Sequence, residues 1–240
     1  MSDHVYVRLA RHLDDLPGGF PATESGVEMR ILRRLFTPEE AALAVHLSLL
    51  AEEPRVIARR AKMPVAQVAG QLEAMAQKGL IYRTQKEGHI PRYMAAQFVV
   101  GIWEYQVNRL EAELIRDFEE YLPALIAADG WGQVPQLRTI PVAESIDSRQ
   151  TVLAYERAEE LVRAQTRFAV APCICRQEQR MLGEGCDKPL ETCLVFGMAA
   201  DFYVHTGKGR AISQQEALEL LNLANEAGLV LQPGNAKEPL

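Results

Sequence analysis

Apolar and polar residues recur at helical spacing through the first half of the chain, with short breaks that predict separate helices. The run Thr37–Glu40 contains a threonine cap, a proline suited to the first turn and a glutamate that completes a capping box. A helix is therefore predicted over 41–50. Two more are predicted over 56–61 and 64–77, and Gly79 is the residue type that commonly ends a helix.

The pattern then changes to that of a short β-hairpin. The apolar run Leu80–Arg83 and the pair Tyr93-Met94 flank a turn at Gly88. Three helices followed by a hairpin form a winged-helix arrangement, so a winged-helix-like domain is predicted over 28–97. The preceding residues 1–27 contain prolines and glycines and little periodicity, and are predicted to be an N-terminal arm.

A second domain is predicted beyond residue 129, where Asp129–Gly132 interrupts the periodic pattern. A long amphipathic helix is predicted over 98–121, within a connecting segment of residues 98–128. The elements predicted in the domain of residues 129–240 are a helix over 148–165, a strand over 167–171, and helices over 190–205 and 213–228. The predicted fold class is therefore mainly α, with a winged-helix-like domain joined by a long helix to a helical cysteine-containing domain.

Charge and composition narrow the functional classes. The 240 residues have a net charge of −6 and a sequence pI of about 5.5, which argues against a protein that coats nucleic acid. No apolar run approaches the roughly 20 residues of a membrane span, and no secretory signal is evident. We therefore expect a cytoplasmic protein, in which disulfides are rare and cysteines need another explanation.

The four cysteines of the chain lie close together in sequence, as Cys173, Cys175, Cys186 and Cys193. Four thiolates are the ligand number of an iron–sulfur cluster and also of a tetrahedral zinc ion. Their spacing, C-x-C-x10-C-x6-C, differs from the paired C-x2-4-C of structural zinc sites and from the usual ferredoxin pattern. The spacing therefore predicts a four-thiolate site and leaves its metal open.

The surroundings of the cysteines favour a [4Fe-4S] cluster over zinc. Four nearby cations can offset the negative charge of such a cluster; they are Arg176, Arg180, Lys188 and Arg210. Cys193 is predicted in the first turns of a helix, where the helix dipole favours a thiolate. Structural zinc, buried thiols and a redox disulfide remain alternatives.

Several segments also resemble a known family, the bacterial and archaeal 4Fe-4S ferredoxin-type proteins. The resemblance is carried by Pro172–Arg176, Gly185-Cys186, Cys193, Gly209–Ser213, Glu216–Leu218, Leu35–Ala41, Met75–Ile81 and Gly101–Tyr105. It spans about residues 27 to 235. It implies a winged-helix-like N-terminal region, a cluster held by cysteines, and a role as an electron carrier or partner of a redox enzyme.

The chain differs from that family in one respect. Members typically carry further cysteines and tandem ferredoxin motifs after the segment that ends here at Asn235, and this sequence stops at Leu240 without them. It is either naturally short or a portion of a longer protein. The resemblance therefore implies one cluster site at most, held by the same four cysteines.

The functional hypothesis is electron transfer to or from a partner redox protein. No catalytic residue is assigned. Whether the chain forms a homodimer through the long helix is left open. A redox-sensing DNA-binding regulator is the first alternative. It is disfavoured because the predicted recognition helix has no arginine or lysine before Lys78. A zinc protein that mediates assembly is the second. The acidic run Glu111–Glu120 is interpreted as a solvated face, with docking of a basic partner as its alternative.

Overall fold

The computed structural model describes residues 2–128 and 158–234. The chain divides into two units, residues 1–134 and 135–240, which are described separately below. Within the described residues no helix has both the length and the apolar character needed to cross a bilayer.

The N-terminal unit is built from helices and one hairpin. Its elements are α1 (Ser2–Asp14), α2 (Val27–Leu35), α3 (Pro38–Ala44), α4 (Pro54–Ala61), α5 (Val65–Lys78), β1 (Ile81–Thr84), β2 (Arg92–Ala95) and α6 (Ala112–Ala127). Between β2 and α6 lie a short π-helical segment, Phe98–Ile102, and a 3-10 turn, Glu104–Gln106.

The prediction of an N-terminal arm over 1–27 is wrong, because α1 occupies the first half of that segment. Tyr6, Leu9 and Leu13 recur at helical spacing, and all three are buried. The Tyr6 hydroxyl also donates a hydrogen bond to the carbonyl oxygen of Phe36 at 2.9 Å. The first helix is thus part of the core of this unit, and only the Pro- and Gly-containing segment after it is a loop.

Local signals in the middle of this unit were predicted correctly. Thr37 caps α3 and forms a reciprocal capping box with Glu40, although α3 ends at Ala44 instead of reaching residue 50. Gly79 ends α5 in the left-handed conformation that favours glycine. Strands β1 and β2 then pair in antiparallel register, Ile81 with Ala95 and Thr84 with Arg92.

The predicted continuous helix over 98–121 is wrong in its first half. Val99, Val100 and Gly101 have non-helical backbone angles, and Asn108 has a positive φ of 67°. The Glu104 carboxylate accepts a hydrogen bond from the Gly101 amide at 2.6 Å, which stabilises the bent backbone. The segment of residues 98–128 is therefore a kinked loop followed by α6, and not one connecting helix.

Aromatic packing explains why this kinked segment is nevertheless buried. The Trp103 ring stacks on Phe118 of α6 with centroids 3.6 Å apart, and Phe98 packs edge-on against Phe20 at 4.9 Å. Tyr121 lies beside Phe20 at 5.1 Å. Burial of these large rings supplies much of the hydrophobic stabilisation of the unit.

The C-terminal unit combines helices with a three-stranded sheet. Its described elements are α7 (Ala158–Arg163), β3 (Phe168–Pro172), α8 (Ile174–Met181), β4 (Glu191–Phe196), α9 (Gly197–His205), β5 (Arg210–Ile212) and α10 (Gln214–Glu226). The strand order is β4-β3-β5, and both pairs are antiparallel. Together with the hairpin of the first unit, this sheet makes the fold a mixture of helix and strand, so the prediction of a mainly α protein is corrected.

The largest correction in this unit concerns residues 190–205, which were predicted as one helix. Strand β4 takes the first part and α9 begins only at Gly197. Leu194 and Phe196 of β4 pack against the buried core of Val162, Phe168 and Leu221. Pairing with the apolar strand β3 therefore outweighs the helical spacing of this run.

Other predictions here hold within the described residues. The strand predicted over 167–171 is β3, and Ser213 caps α10 by accepting a hydrogen bond from the Glu216 amide. The predicted helix over 148–165 is described only as α7, from residue 158. The predicted domain boundary at 129 and residues 148–157 of that helix lie outside the described residues.

Candidate metal centre

The cysteines lie on three neighbouring segments of the C-terminal unit. Strand β3 ends in an irregular register at Pro172, and Cys173 follows as the N-cap residue of α8, with Cys175 in its first turn. Cys193 lies on β4 opposite Ala171 of β3. Cys186 belongs to the loop of residues 182–190 between α8 and β4. The sheet thus brings the segment after β3 and the first part of β4 together at one end of the strands.

Cys173 is in contact with two of the other cysteines. Its thiol hydrogen-bonds with the thiols of Cys175 and Cys193, and these bonds are the largest causes of a pKa well below the ordinary value for cysteine. The backbone amide and the guanidinium charge of Arg176 lower the pKa further, and partial burial opposes them.

The backbone around Cys173 is also fixed. Its amide donates to the Leu190 carbonyl at 2.8 Å, which joins the start of α8 to the start of β4. Cys173 is partly buried, whereas Cys175, Cys186 and Cys193 are exposed. Cys173 is therefore a position that favours a thiolate, with the thiols of Cys175 and Cys193 beside it and buried strand β3 directly before it.

Cys186 is positioned differently from the other three cysteines. A Cβ at its neighbour Gly185 would lie 2.4 Å from Cγ and 2.9 Å from Cα of Arg180, so the loop touches the second half of α8 at this point. The Arg180 guanidinium donates to the Lys188 carbonyl at 3.3 Å, and the Glu184 amide to the Gln179 carbonyl at 2.9 Å. These contacts hold the loop that carries Cys186 against the second half of α8.

The donor chemistry fits a thiolate-bound metal, but the ligand set is incomplete as arranged. In the part of the chain that the structure describes, no three or more His, Cys, Asp or Glu side chains form a group ready to hold a metal ion. Cys173, Cys175 and Cys193 are gathered by hydrogen bonds, which are weaker constraints on sulfur positions than metal bonds. A four-thiolate set requires the cysteines to come closer together than they lie in the described residues.

The helix-dipole argument for Cys193 is wrong, because this residue lies on a strand. It is Cys173 and Cys175, at the start of α8, that lie near a helix N-terminus. The reason is the pairing of β4 with β3, which the helical spacing of the run concealed.

Two of the four predicted charge-compensating cations are engaged elsewhere. Arg210 donates to Glu191 at 2.9 Å and pairs with Glu216 at 2.6 Å, so its charge is neutralised locally. The Lys188 ammonium donates to the Ala227 carbonyl. Arg176 is a cation that acts on Cys173, and its place directly after the C-x-C pair was the sequence signal for this role.

The acidic run on α6 is largely paired within its own unit. Asp117 accepts from Arg30 at 3.0 Å and from Arg34 at 2.7 Å, and these arginines also pair with Glu120 and Glu113 at 2.6 Å. The interpretation as a solvated face is therefore incomplete: most of these charges bind α2 to α6 and are not available for a basic partner.

A cleft of about 380 Å³ in the N-terminal unit is a separate candidate site. Its lining includes the cations Arg34, Lys78 and Arg109 above Leu80 and Leu114. Lys78 pairs with Glu40 at 2.6 Å, and Arg34 is held by the acidic residues of α6. Because carboxylates of the chain already satisfy two of its three cations, the cleft offers little net attraction for an anionic ligand.

Comparison with known proteins adds no relative to this picture: no family model, no curated protein and no solved structure matches the chain.

Proposed function

We propose that this protein holds an iron–sulfur cluster through Cys173, Cys175, Cys186 and Cys193 and exchanges electrons with a partner redox enzyme. The observation that carries the proposal is the contact of the Cys173 thiol with those of Cys175 and Cys193, at a position where its pKa is lowered. Iron binds the thiolate and not the thiol, so a site that favours deprotonation is prepared for metal.

The residues of the chain would bind and tune such a group. Three exposed cysteines place it at the surface, where a partner can approach closely. The Arg176 charge and the amides at the start of α8 offset negative charge there, which raises a reduction potential. When bound, a [4Fe-4S] cluster supplies one-electron chemistry.

Zinc is the second candidate, because four thiolates are also the ligand number of a tetrahedral zinc ion. The interaction of Cys173 with Cys175 and Cys193 suits this ion as well as a cluster. With zinc bound, the site would be structural and the protein would mediate assembly.

For the N-terminal unit we propose a winged-helix-like domain that contacts protein and not DNA. The order of α3, α4, α5 and the hairpin supports the winged-helix-like arrangement. The bridge between Glu52 and Tyr93 adds a further strand-like contact to the hairpin. Contact with protein and not DNA is supported by α5, which carries no arginine or lysine before Lys78. In the adjacent α4, the Arg60 guanidinium is already paired, because it donates to the Glu52 carboxylate at 2.6 Å.

The metal is tested by purifying the full chain without oxygen and measuring its absorption before and after dithionite. The cluster proposal predicts a visible band that dithionite bleaches, and loss of that band in Cys173→Ser and Cys193→Ser. Arg167→Gln, which changes an exposed residue paired with Asp201, is the control and should keep the band. A colourless wild-type chain that contains zinc contradicts the cluster and supports the second candidate.

DNA binding separates a carrier from a regulator. The full chain, in its oxidised and reduced forms, is titrated with fluorescent double-stranded DNA at several salt concentrations. The proposal predicts no salt-dependent binding in either form, since phosphate binding requires clustered cations and α5 carries none before Lys78. Binding that strengthens at low salt and differs between the two forms would support the regulator instead.

A further inference from the structure

One side chain, Arg176, connects all three cysteine segments. Its Nη1 atom donates to the Pro189 carbonyl at 2.7 Å and to the Thr192 hydroxyl at 2.7 Å. Pro189 closes the loop that carries Cys186, and Thr192 directly precedes Cys193 on β4. Arg176 itself lies in the first turn of α8, one residue after Cys175.

We propose that Arg176 is the positioning residue of the cysteine site. It fixes the end of the 182–190 loop and the start of β4 against the first turn of α8, and so sets the distance of Cys186 and Cys193 from the Cys173–Cys175 pair. The part of this inference that concerns metal rests on the proposed function. The part that concerns the loop stands on the hydrogen bonds alone.

Two arginine side chains of α8 attach the loop, and these two attachments lie at different places along the helix. The attachment through Arg180 and Gly185 lies near the end of α8, five residues after Cys175, which is about 7.5 Å along a helix. The attachment through Arg176 lies beside the thiols. The second attachment keeps the end of the loop at the site.

A guanidinium suits this task better than an ammonium. Arginine presents a planar set of donors that can hold a carbonyl and a hydroxyl in fixed directions, whereas lysine presents a mobile point charge. Arg176 is half-buried between the segments that it joins. Removing it leaves the Pro189 carbonyl and the Thr192 hydroxyl without this donor, and frees both segments.

The test compares Arg176→Gln and Arg176→Lys with wild type, and uses Arg167→Gln as a control. Arg167 lies just before β3, and its side chain pairs with Asp201. Arg167→Gln therefore removes the same charge as Arg176→Gln at a side chain that joins no cysteine segment. Hydrogen exchange of residues 183–193 is measured in the metal-free full chain, and iron, sulfide and zinc per chain are measured after anaerobic purification. Protection of β3 and α10 in the same spectra shows whether each variant is folded.

We expect Arg176→Gln to raise exchange in residues 183–193 by about tenfold and to lower metal content severalfold, with Arg167→Gln unchanged. Arg176→Lys, which keeps the charge, should still show faster exchange. Wild-type exchange in both Arg176 variants would overturn the positioning role, and so would full recovery by lysine, which would assign the effect to charge. A wild-type chain without metal whose loop is nevertheless loosened in Arg176→Gln would refute the proposed function and leave the attachment standing.

Discussion

Gly209 packs so closely against β3, the strand that leads to the cysteines, that a side chain at this position would clash with it. A Cβ at this position would lie 2.5 Å from the Val170 carbonyl oxygen and 3.2 Å from its carbon. Both are backbone atoms of β3, the central strand of the sheet, and cannot move as a side chain can. No residue with a side chain fits between β3 and the turn before β5 without shifting one of them.

Gly209→Ala should therefore lower the free energy of unfolding of the C-terminal unit by about 1 to 3 kcal/mol. Hydrogen exchange of the β3 amides in the full chain measures this loss. Gly234→Ala is the matched control, because a Cβ there meets no atom within 4 Å. Equal protection of β3 in both variants would show that the turn adjusts without cost.

Glu104 gives the N-terminal unit a pH dependence. Burial raises the pKa of its carboxyl from 4.5 to about 7, against the opposing hydrogen bond from the Gly101 amide. Because the folded pKa lies above the unfolded value, ionisation costs the folded state more. The contribution of this group to stability therefore falls as pH rises from about 4.5 to about 7, and is constant above that range.

Glu104→Gln removes this titration and keeps an oxygen that can accept from Gly101. Relative to wild type, the variant should gain about 2 to 3 kcal/mol of unfolding free energy between pH 4.5 and pH 8. Urea unfolding followed by tryptophan fluorescence reports on this unit, since Trp103 is buried in it. A difference between the two proteins that is independent of pH would contradict the assignment.

At the scale of elements, one carboxylate joins α2 to α6. Asp117 is buried and accepts the Nε–H of both Arg30 and Arg34. The two arginines are more exposed, which weakens each pair through solvent screening. The helices are therefore held together by this buried acceptor, by the more exposed pairs with Glu113 and Glu120, and by apolar packing.

Asp117→Asn should cost the N-terminal unit about 1 to 2 kcal/mol, because it removes the charge and one of the two acceptors. Glu119→Gln on the same helix is exposed and should change stability by less than about 0.5 kcal/mol. Urea midpoints from tryptophan fluorescence compare the two. Equal midpoints would mean that packing alone joins α2 to α6.

Elements with a strong local signal were predictable from the sequence. The Thr37–Glu40 capping box, the Gly79 helix end and the β1–β2 hairpin each depend on residues within a few positions of one another. The same holds for the Ser213 cap. Such features are determined by residues close together in the sequence, so they can be predicted without the tertiary structure.

Elements decided by long-range contacts were not predictable in this way. Residues 191–196 have helical spacing but pair with β3, and the break at Gly101 depends on a carboxylate hydrogen bond and on the Trp103–Phe118 stack. At the candidate site, sequence proximity suggested four equivalent cysteines. The contact of the Cys186 loop with α8, at Gly185 and Arg180, is a feature that spacing does not reveal.

At the scale of the whole molecule, chemistry and packing are divided between the two units. All four cysteines belong to the C-terminal unit, whereas the large aromatic core and the charged cleft belong to the N-terminal one. This division fits a protein in which one unit carries a redox group and the other contacts a partner. The account therefore depends most on whether the cysteine site holds metal, and which metal.

The most direct measurement is the content of iron, acid-labile sulfide and zinc per chain in full-length protein purified without oxygen. The account predicts about four irons and four sulfides per chain and little zinc. It also predicts that Cys186→Ser loses the metal as fully as Cys173→Ser, since all four thiolates are required. One zinc per chain, or iron that Cys186→Ser retains, would contradict the proposed cluster site.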